Sequence, residues 1–197
     1  VHDDEGWRLK GHAVQSFFQW MASWGMMLKK PSDIGYSDDG YNLPERTLTP
    51  VWIEGDAQAL ANANGQLFLT SLQGIQGRTV ARRQTVGAKV ERAAEIINLS
   101  QEQWIVWCGL NEEGRQLHRA VPDSALVEGA DSLEIKTERL LAFLSGNARV
   151  LVTKTSIAGF GLNLQRCHNM MFVGMSDSYE SFYQAIRRCW RFGQSHR

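Results

Sequence analysis

One segment of the chain concentrates side chains that can handle an anion. It reads Tyr179-Glu180-Ser181-Phe182-Tyr183-Gln184-Ala185-Ile186-Arg187-Arg188-Cys189-Trp190-Arg191. Read as one helix over 178–190, it places Tyr179, Phe182, Tyr183, Ile186, Cys189 and Trp190 on an apolar face. Gln184, Arg188 and Arg191, at i, i+4 and i+7, form a row on the other face. Two guanidiniums and an amide in one row can hold an anion, because arginine offers planar paired donors that match phosphate oxygens and keeps its charge. Where such a pair reaches a phosphoryl group in transfer, it stabilises the charge that develops as the bond breaks. The plain alternative is a solvated arginine face, and the helix alone favours it.

A second segment shifts that balance. Val150-Leu151-Val152-Thr153 runs into Lys154-Thr155-Ser156-Ile157-Ala158-Gly159-Phe160-Gly161-Leu162-Asn163-Leu164. An apolar strand thus leads into hydroxyl residues, a lysine and two glycines spaced by one. Ligands of parallel α/β sheets bind at the carboxyl ends of strands, and small residues there let backbone N–H groups approach phosphates. Alone, Gly159-x-Gly161 is equally a tight turn that needs positive φ.

The elements that must position these residues alternate. A helix is expected over 78–99, a strand over 104–108, a helix over 111–119 and a short strand over 125–128. Then come a helix over 132–144 capped by Asp131, a strand over 149–153, a strand over 169–174 and the arginine helix. Short apolar strands between longer helices predict βαβ units and a parallel sheet, and the continuous apolar runs 104–108 and 150–152 suit strands covered on both faces. Before this lie a loop and a helix over 11–28, ended by Lys29-Lys30-Pro31, then a polar loop over 31–47 and a possible strand over 48–54. Phe17, Trp20, Met21, Trp24, Met27 and Leu28 recur at helical spacing, so that helix is read as amphipathic and packed on protein. Gln15, Ser16, Gln19 and Ser23 interrupt it, which argues against a membrane span.

Composition removes other classes. The 197 residues are 43% hydrophobic, with 21 basic residues balancing 21 acidic ones; a real core is expected, and any nucleic-acid contact must come from a local charge cluster. The three cysteines, Cys108, Cys167 and Cys189, form no C-x-x-C pair, which predicts neither zinc nor a disulfide framework and fits a reducing cytoplasm. His2, His12, His118, His168 and His196 show no metal-ligand spacing, and no metal site is predicted. Asp33, Asp38 and Asp39 do not have EF-hand spacing and read as a solvated turn. Ser156 and Ser181 lack a nucleophile-elbow context. Core packing is the expected role of Trp20, Trp24, Trp104 and Trp107.

In this order the two segments resemble a known family. The strand followed by "TKTSIAGFGLNLQ" is similar to motif V of superfamily-two helicases, the group that includes the DEAD/DEAH-box types. "QAIRRCWRFGQ" has the Q-A-x-x-R-x-x-R-x-G-Q form of motif VI in Swi/Snf-type motors. The stretch from Gln103 to Val152 looks like the motif IV strand and the helices that lead to motif V. The resemblance covers about residues 78–197. Residues 8–44 are similar, more loosely, to the inter-lobe region of phage and prophage members.

The resemblance implies an α/β fold: a three-layer RecA-like domain with a mostly parallel central sheet over 56–197, preceded by a helical and loop extension over 1–55. It implies the second motor lobe of an ATP-dependent helicase or translocase. Arg188 and Arg191 would be arginine fingers, with Gln184, Gly159, Gly161 and Asn163 also at the ATP. Thr153, Lys154 and Thr155 would meet the nucleic-acid backbone or couple it to the ATP site, with DNA the expected polymer, and Gly193 and Gln194 complete motif VI. Arg187 stands where many superfamily-two helicases have glycine. ATP and Mg²⁺ would bind mainly on a first RecA-like lobe in cis, in the cytoplasm of a bacterial or phage-infected cell. No membrane partner is expected; self-association through the first helix is a possible contact. The sequence holds no G-x-x-x-x-G-K-[ST] and no strand-borne D-E-x-x pair, so this chain alone is expected neither to bind ATP-magnesium nor to hydrolyse ATP. Two rivals stand beside this reading: a RecA-like module that binds nucleic acid or a partner without catalysis, and an unrelated α/β enzyme that binds a small phosphorylated ligand at its glycine turn.

Overall fold

The computed structural model describes residues 9–53, 81–158 and 162–196, and the backbone of 2–3 and 6–7. Two compact units result, Val1–Asn42 and Leu43–Arg197. The domain boundary expected at 55/56 lies outside the described residues.

In the first unit, β1 (His2–Asp3) and β2 (Gly6–Trp7) pair antiparallel where a loop was expected. A single 3-10 turn, Gly11–Ala13, leads into α1 (Val14–Ala22). This helix ends well before Pro31. The Ser23 hydroxyl donates to Trp20 O at 2.7 Å and the Gly25 N–H to Met21 O at 2.7 Å; serine and glycine at that point close the helix rather than extend it. The aromatic stripe is not packed as expected: Trp20 is 58% and Trp24 65% exposed, and among the described residues the rings of Phe17, Phe18, Trp20 and Trp24 meet one another. In the loop that follows, Asp33 accepts from the N–H groups of Lys29 and Lys30, and Asp38 from that of Ser32. These bonds hold both carboxyls below the usual carboxylate range, as a polar turn requires.

The second unit is a four-stranded, wholly parallel sheet. Its strands are β3 (Trp104–Trp107), β4 (Ser124–Leu126), β5 (Val150–Thr153) and β6 (Asn169–Phe172), in the order β4-β5-β3-β6. The register sets Ile105 beside Leu151 and Met170, and Val106 beside Val152 and Met171. Side chains alternate across a strand, so this register divides the core in two. Val106, Val150 and Val152 face α2 (Val86–Asn98) and α3 (Asn111–Ala120). Ile105, Trp107 and Leu151 face the other layer, with Phe143 of α4 (Leu133–Ser145), Ala158 of α5 (Thr155–Ala158) and Ala185 of α6 (Tyr179–Ile186). The lobe is therefore a three-layer α/β fold.

Several expected boundaries move, each for a local reason. Residues 81–84 are helical, but Thr85 interrupts before α2; its hydroxyl donates back to Ala81 O at 2.8 Å, a competition that disturbs helices. Residues 78–80 lie outside the described residues. Residues 48–53 form no strand. The N-cap of α4 is Ser132, whose hydroxyl accepts from Ile135 N at 3.3 Å, and not Asp131. That carboxylate is engaged elsewhere, accepting from Glu128 N at 2.7 Å and from Arg139 at 2.8 Å.

Candidate functional site

The arginine segment departs from the single expected helix. α6 ends at Ile186, and residues 187–190 turn. Its buried face is Ala185 and Ile186, continued by Cys189, whereas Tyr179 is 76% exposed and Tyr183 is exposed as well. The arginines consequently sit on a loop. Arg188 reaches back one turn: its Nε–H donates to Gln184 O at 3.0 Å and its Nη2–H to Gln184 Oε1 at 3.1 Å. A third bond, Nη1–H to Leu162 O at 3.2 Å, and the return bond from Leu164 N–H to Arg188 O at 3.0 Å, tie the loop to the chain that follows the motif V glycines.

Neutral acceptors supply all of these contacts. Among the described residues, no carboxylate pairs with Arg187, Arg188 or Arg191, and no side-chain hydrogen bond holds Arg191. Burial and the neighbouring Arg191 charge lower the Arg188 pKa; two like charges this close repel unless an anion sits between them.

The next residues complete the frame. Gly193 turns the chain at φ 90°, a conformation that favours glycine. Beyond it, buried Gln194 donates to Gln165 O at 2.9 Å and Cys167 O at 3.2 Å and accepts from His196 N at 2.9 Å. Cys189 and Cys167 are buried free thiols. The Cys189 thiol is pushed up by its hydrogen bond to Cys167 and by burial, and burial pushes Cys108 up to about 12. Neither is a nucleophile at neutral pH.

The motif V residues divide. Thr153 is 2% exposed and its hydroxyl donates to Val127 O at 3.0 Å, which pins β5 to the residue after β4. Lys154 and Thr155 are half-buried at the carboxyl end of β5. Asn163 is exposed and its Oδ1 accepts from Gln165 N at 3.3 Å. Gly159 and Gly161 lie outside the described residues. The hollow at the end of β5, lined by Lys154, Asn111, Glu128 and Ile157 among others, holds about 10 Å³, room for at most one water. A cleft of about 710 Å³ lies beside β6, lined by Arg46, Trp104, Met170, Phe172, Trp190 and other residues, but Arg188 and Arg191 are not in its wall. Among the described residues, no cluster of three His, Cys, Asp or Glu could hold a metal ion, and no helix is long and apolar enough to cross a membrane.

Sequence reasoning missed Glu113. It is 1% exposed, accepts from Gly109 N and Leu110 N at 2.9 Å each, and pairs with Lys89 at 2.5 Å. It fixes the loop at the carboxyl end of β3. Gly174 abuts it so closely that a Cβ would lie 2.2 Å from Glu113 Oε2. A glutamate three residues after the helix N-cap was a legible capping signal; its lysine partner, 24 residues earlier, was not. Also missed was the environment of Trp190. Its indole N–H donates to Pro44 O at 2.9 Å, and the guanidiniums of Arg46 and Arg187 stand 5.3 and 5.2 Å from its ring centre.

Residues 88–193, more than half of the chain, match the family described as helicase conserved C-terminal domain. The chain belongs to that family: it is a helicase C-terminal lobe with the RecA-like α/β fold. Among solved structures, it is similar to the C-terminal part of the Fun30 ATPase domain, at 17% identity and a TM-score of 0.49 over 71% of this chain and 46% of that one. Similar too are the Hef helicase domain of Pyrococcus furiosus (18%, TM-score 0.43, 59% of this chain and 27% of that one) and UvsW of T4 (16%, TM-score 0.46, 58% and 25%). The chain spans less than half the length of each. No curated protein matches it.

Proposed function

We propose that this chain is the second motor lobe of an ATP-driven, Swi/Snf-like helicase or translocase of phage or prophage type, acting on DNA in the cytoplasm. Arg188 and Arg191 are its arginine fingers. The observation that carries this reading is a pair of neighbouring guanidiniums inside the family-matched segment, of which Arg188 is held by neutral groups and neither pairs with a carboxylate among the described residues. ATP and Mg²⁺ bind on a first lobe in the same protein, and the γ-phosphate is the anion that meets Arg188 and Arg191. No side-chain hydrogen bond holds the Arg191 guanidinium among the described residues, and Arg191 reaches the phosphoryl oxygens as the lobes close. Gln184 acts through Arg188, whose Nη2 it accepts. Gly159, Gly161 and Asn163 shape the loop beside them, and Lys154 and Thr155 face the nucleic-acid backbone, where contacts position without reading sequence. The lobe spans residues 56–197 and the extension 1–55, and the isolated chain turns over no ATP.

The test is nucleic-acid-stimulated ATPase activity of the two-lobed protein, wild type beside Arg188→Ala and Arg191→Ala. Stimulated turnover abolished by both substitutions, with ATP still bound, supports the reading. Turnover unchanged by either makes the arginines a solvated face and favours a binding module.

A further inference from the structure

The arginine loop is held from one side by Gln184 and Leu162, through Arg188. Its other side is held at Trp190, between Cys189 and Arg191, by a grip that uses three residues. Pro44 accepts the indole N–H at 2.9 Å, and Arg46 and Arg187 both place a guanidinium over the ring. Pro44 and Arg46 lie at the start of the second compact unit, which begins at Leu43. They lie more than 140 residues from Trp190 in sequence, so the contact is a tertiary tie, not a local turn. The Arg187 guanidinium thus stacks on the same indole. Cation–π contacts strengthen when partly desolvated, and Trp190 is half-buried.

We infer that Trp190 is a positioning residue that clamps the entry segment Pro44–Arg46 to the arginine loop and thereby sets where Arg191 points. The inference rests on the finger assignment above. If Arg191 must lie within hydrogen-bond reach of a phosphoryl oxygen at the moment of transfer, its backbone must be fixed, since small misplacements of a catalytic group are costly. No side-chain contact fixes the Arg191 guanidinium among the described residues; the clamp on the residue before it supplies that constraint. It also links turnover to the position of the entry segment, the covalent connection between the first unit and the lobe.

The clamp is tested in the two-lobed protein by steady-state ATPase kinetics at saturating DNA, with wild type, Arg191→Ala, Arg46→Ala, Arg46→Lys and Trp190→Phe assayed side by side. Arg46 is exposed, so its substitution does not threaten folding. Trp190→Phe keeps an aromatic ring under the guanidiniums and removes the N–H donor together with the fused five-membered ring. Arg46→Ala and Trp190→Phe should each lower kcat about tenfold, with KM for ATP and DNA affinity unchanged; a factor of ten corresponds to about 1.4 kcal/mol of barrier. Arg46→Lys, which keeps a cation over the ring, should recover most of the loss. Wild-type kcat in Arg46→Ala and Trp190→Phe, while Arg191→Ala is inactive, overturns the clamp and leaves the fingers standing. Loss through KM alone, or no rescue by lysine, also overturns it. An Arg191→Ala protein with full turnover overturns the clamp together with the finger assignment.

Discussion

Arg149 and Arg188 are both half-buried arginines that donate to backbone carbonyls, yet their surroundings differ. Arg149 donates to Ile97 O at 3.1 Å and Ser100 O at 2.7 Å, and its other edge meets Asp123 through Nε–Oδ2 and Nη2–Oδ1, the latter at 3.1 Å. Its charge is neutralised within the fold, and the cation serves as a strut between α2, the start of β3 and the start of β5. Arg188 receives the same kind of carbonyl support from Gln184 and Leu162, but the charge that lowers its pKa, beside burial, is another cation, Arg191. A guanidinium with a carboxylate partner builds the fold. One with neutral partners and a like charge beside it has no charge partner within the described fold, as the proposed finger role requires.

That contrast is broken or sharpened first at the finger loop. Arg191→Ala should lower ATP turnover of the two-lobed protein by roughly 10³-fold or more, while the thermal midpoint of the lobe stays near wild type, because no side-chain bond is lost. Arg188→Ala should cost turnover on a similar scale and also loosen the Leu162–Leu164 chain, visible as faster amide exchange there. Equal loss of stability in both variants would mean that Arg191 too is a strut.

Glu113 gives the next largest effect, on the strut side of the comparison. Glu113→Ala strands Lys89 and two loop N–H groups, and breaking a buried pair from one side costs about 3–5 kcal/mol. Urea unfolding of the chain should record it as a lower midpoint. Gly174→Ala should approach the same loss, since its Cβ displaces that carboxylate. A near-neutral Gly174→Ala would show that the β3–α3 loop yields more readily than its hydrogen bonds imply.

How much of this was legible in the residues depends on the range of the interaction. The parallel sheet was readable because 104–108 and 150–152 are apolar without interruption, and that signal is local. Ser132 in place of Asp131, and the break at Thr85, are one-residue decisions taken by side-chain hydrogen bonds whose partners the pattern does not name. The end of α6 at Ile186 was hidden because residues 187–191 keep helical periodicity while Arg188 bonds back to Gln184 from a turn. Thr153 looked available because threonine is polar; its burial follows from the pleat of β5 and the carbonyl of Val127, a tertiary fact. The clamp on Trp190 joins residues 44, 46, 187 and 190, and no spacing in the sequence announces it. The arginines were singled out by their spacing and by the resemblance to motif VI, and the lack of a carboxylate partner among the described residues became visible only in three dimensions.

The smallest effect lies in the acid range and bears on Arg149. Its hydrogen bond and charge hold the Asp123 carboxyl below the usual carboxylate range, against a weaker opposing push from burial. The folded chain therefore binds that proton less readily than the unfolded chain, and stability rises with pH wherever the unfolded state carries the extra proton. The contribution of Asp123 is fully present above its unfolded value of about 4 and fades as pH falls through the lower folded value. Asp123→Asn should flatten the acid limb of a stability–pH curve without abolishing it, because Glu102 and Glu134 are also lowered by their own partners. Arg149→Ala should flatten it as far as Asp123→Asn does, and the double variant no further, since both remove one interaction. Additive flattening would mean that Asp123 owes its low pKa to something other than Arg149, and the strut half of the comparison would need a different acid partner.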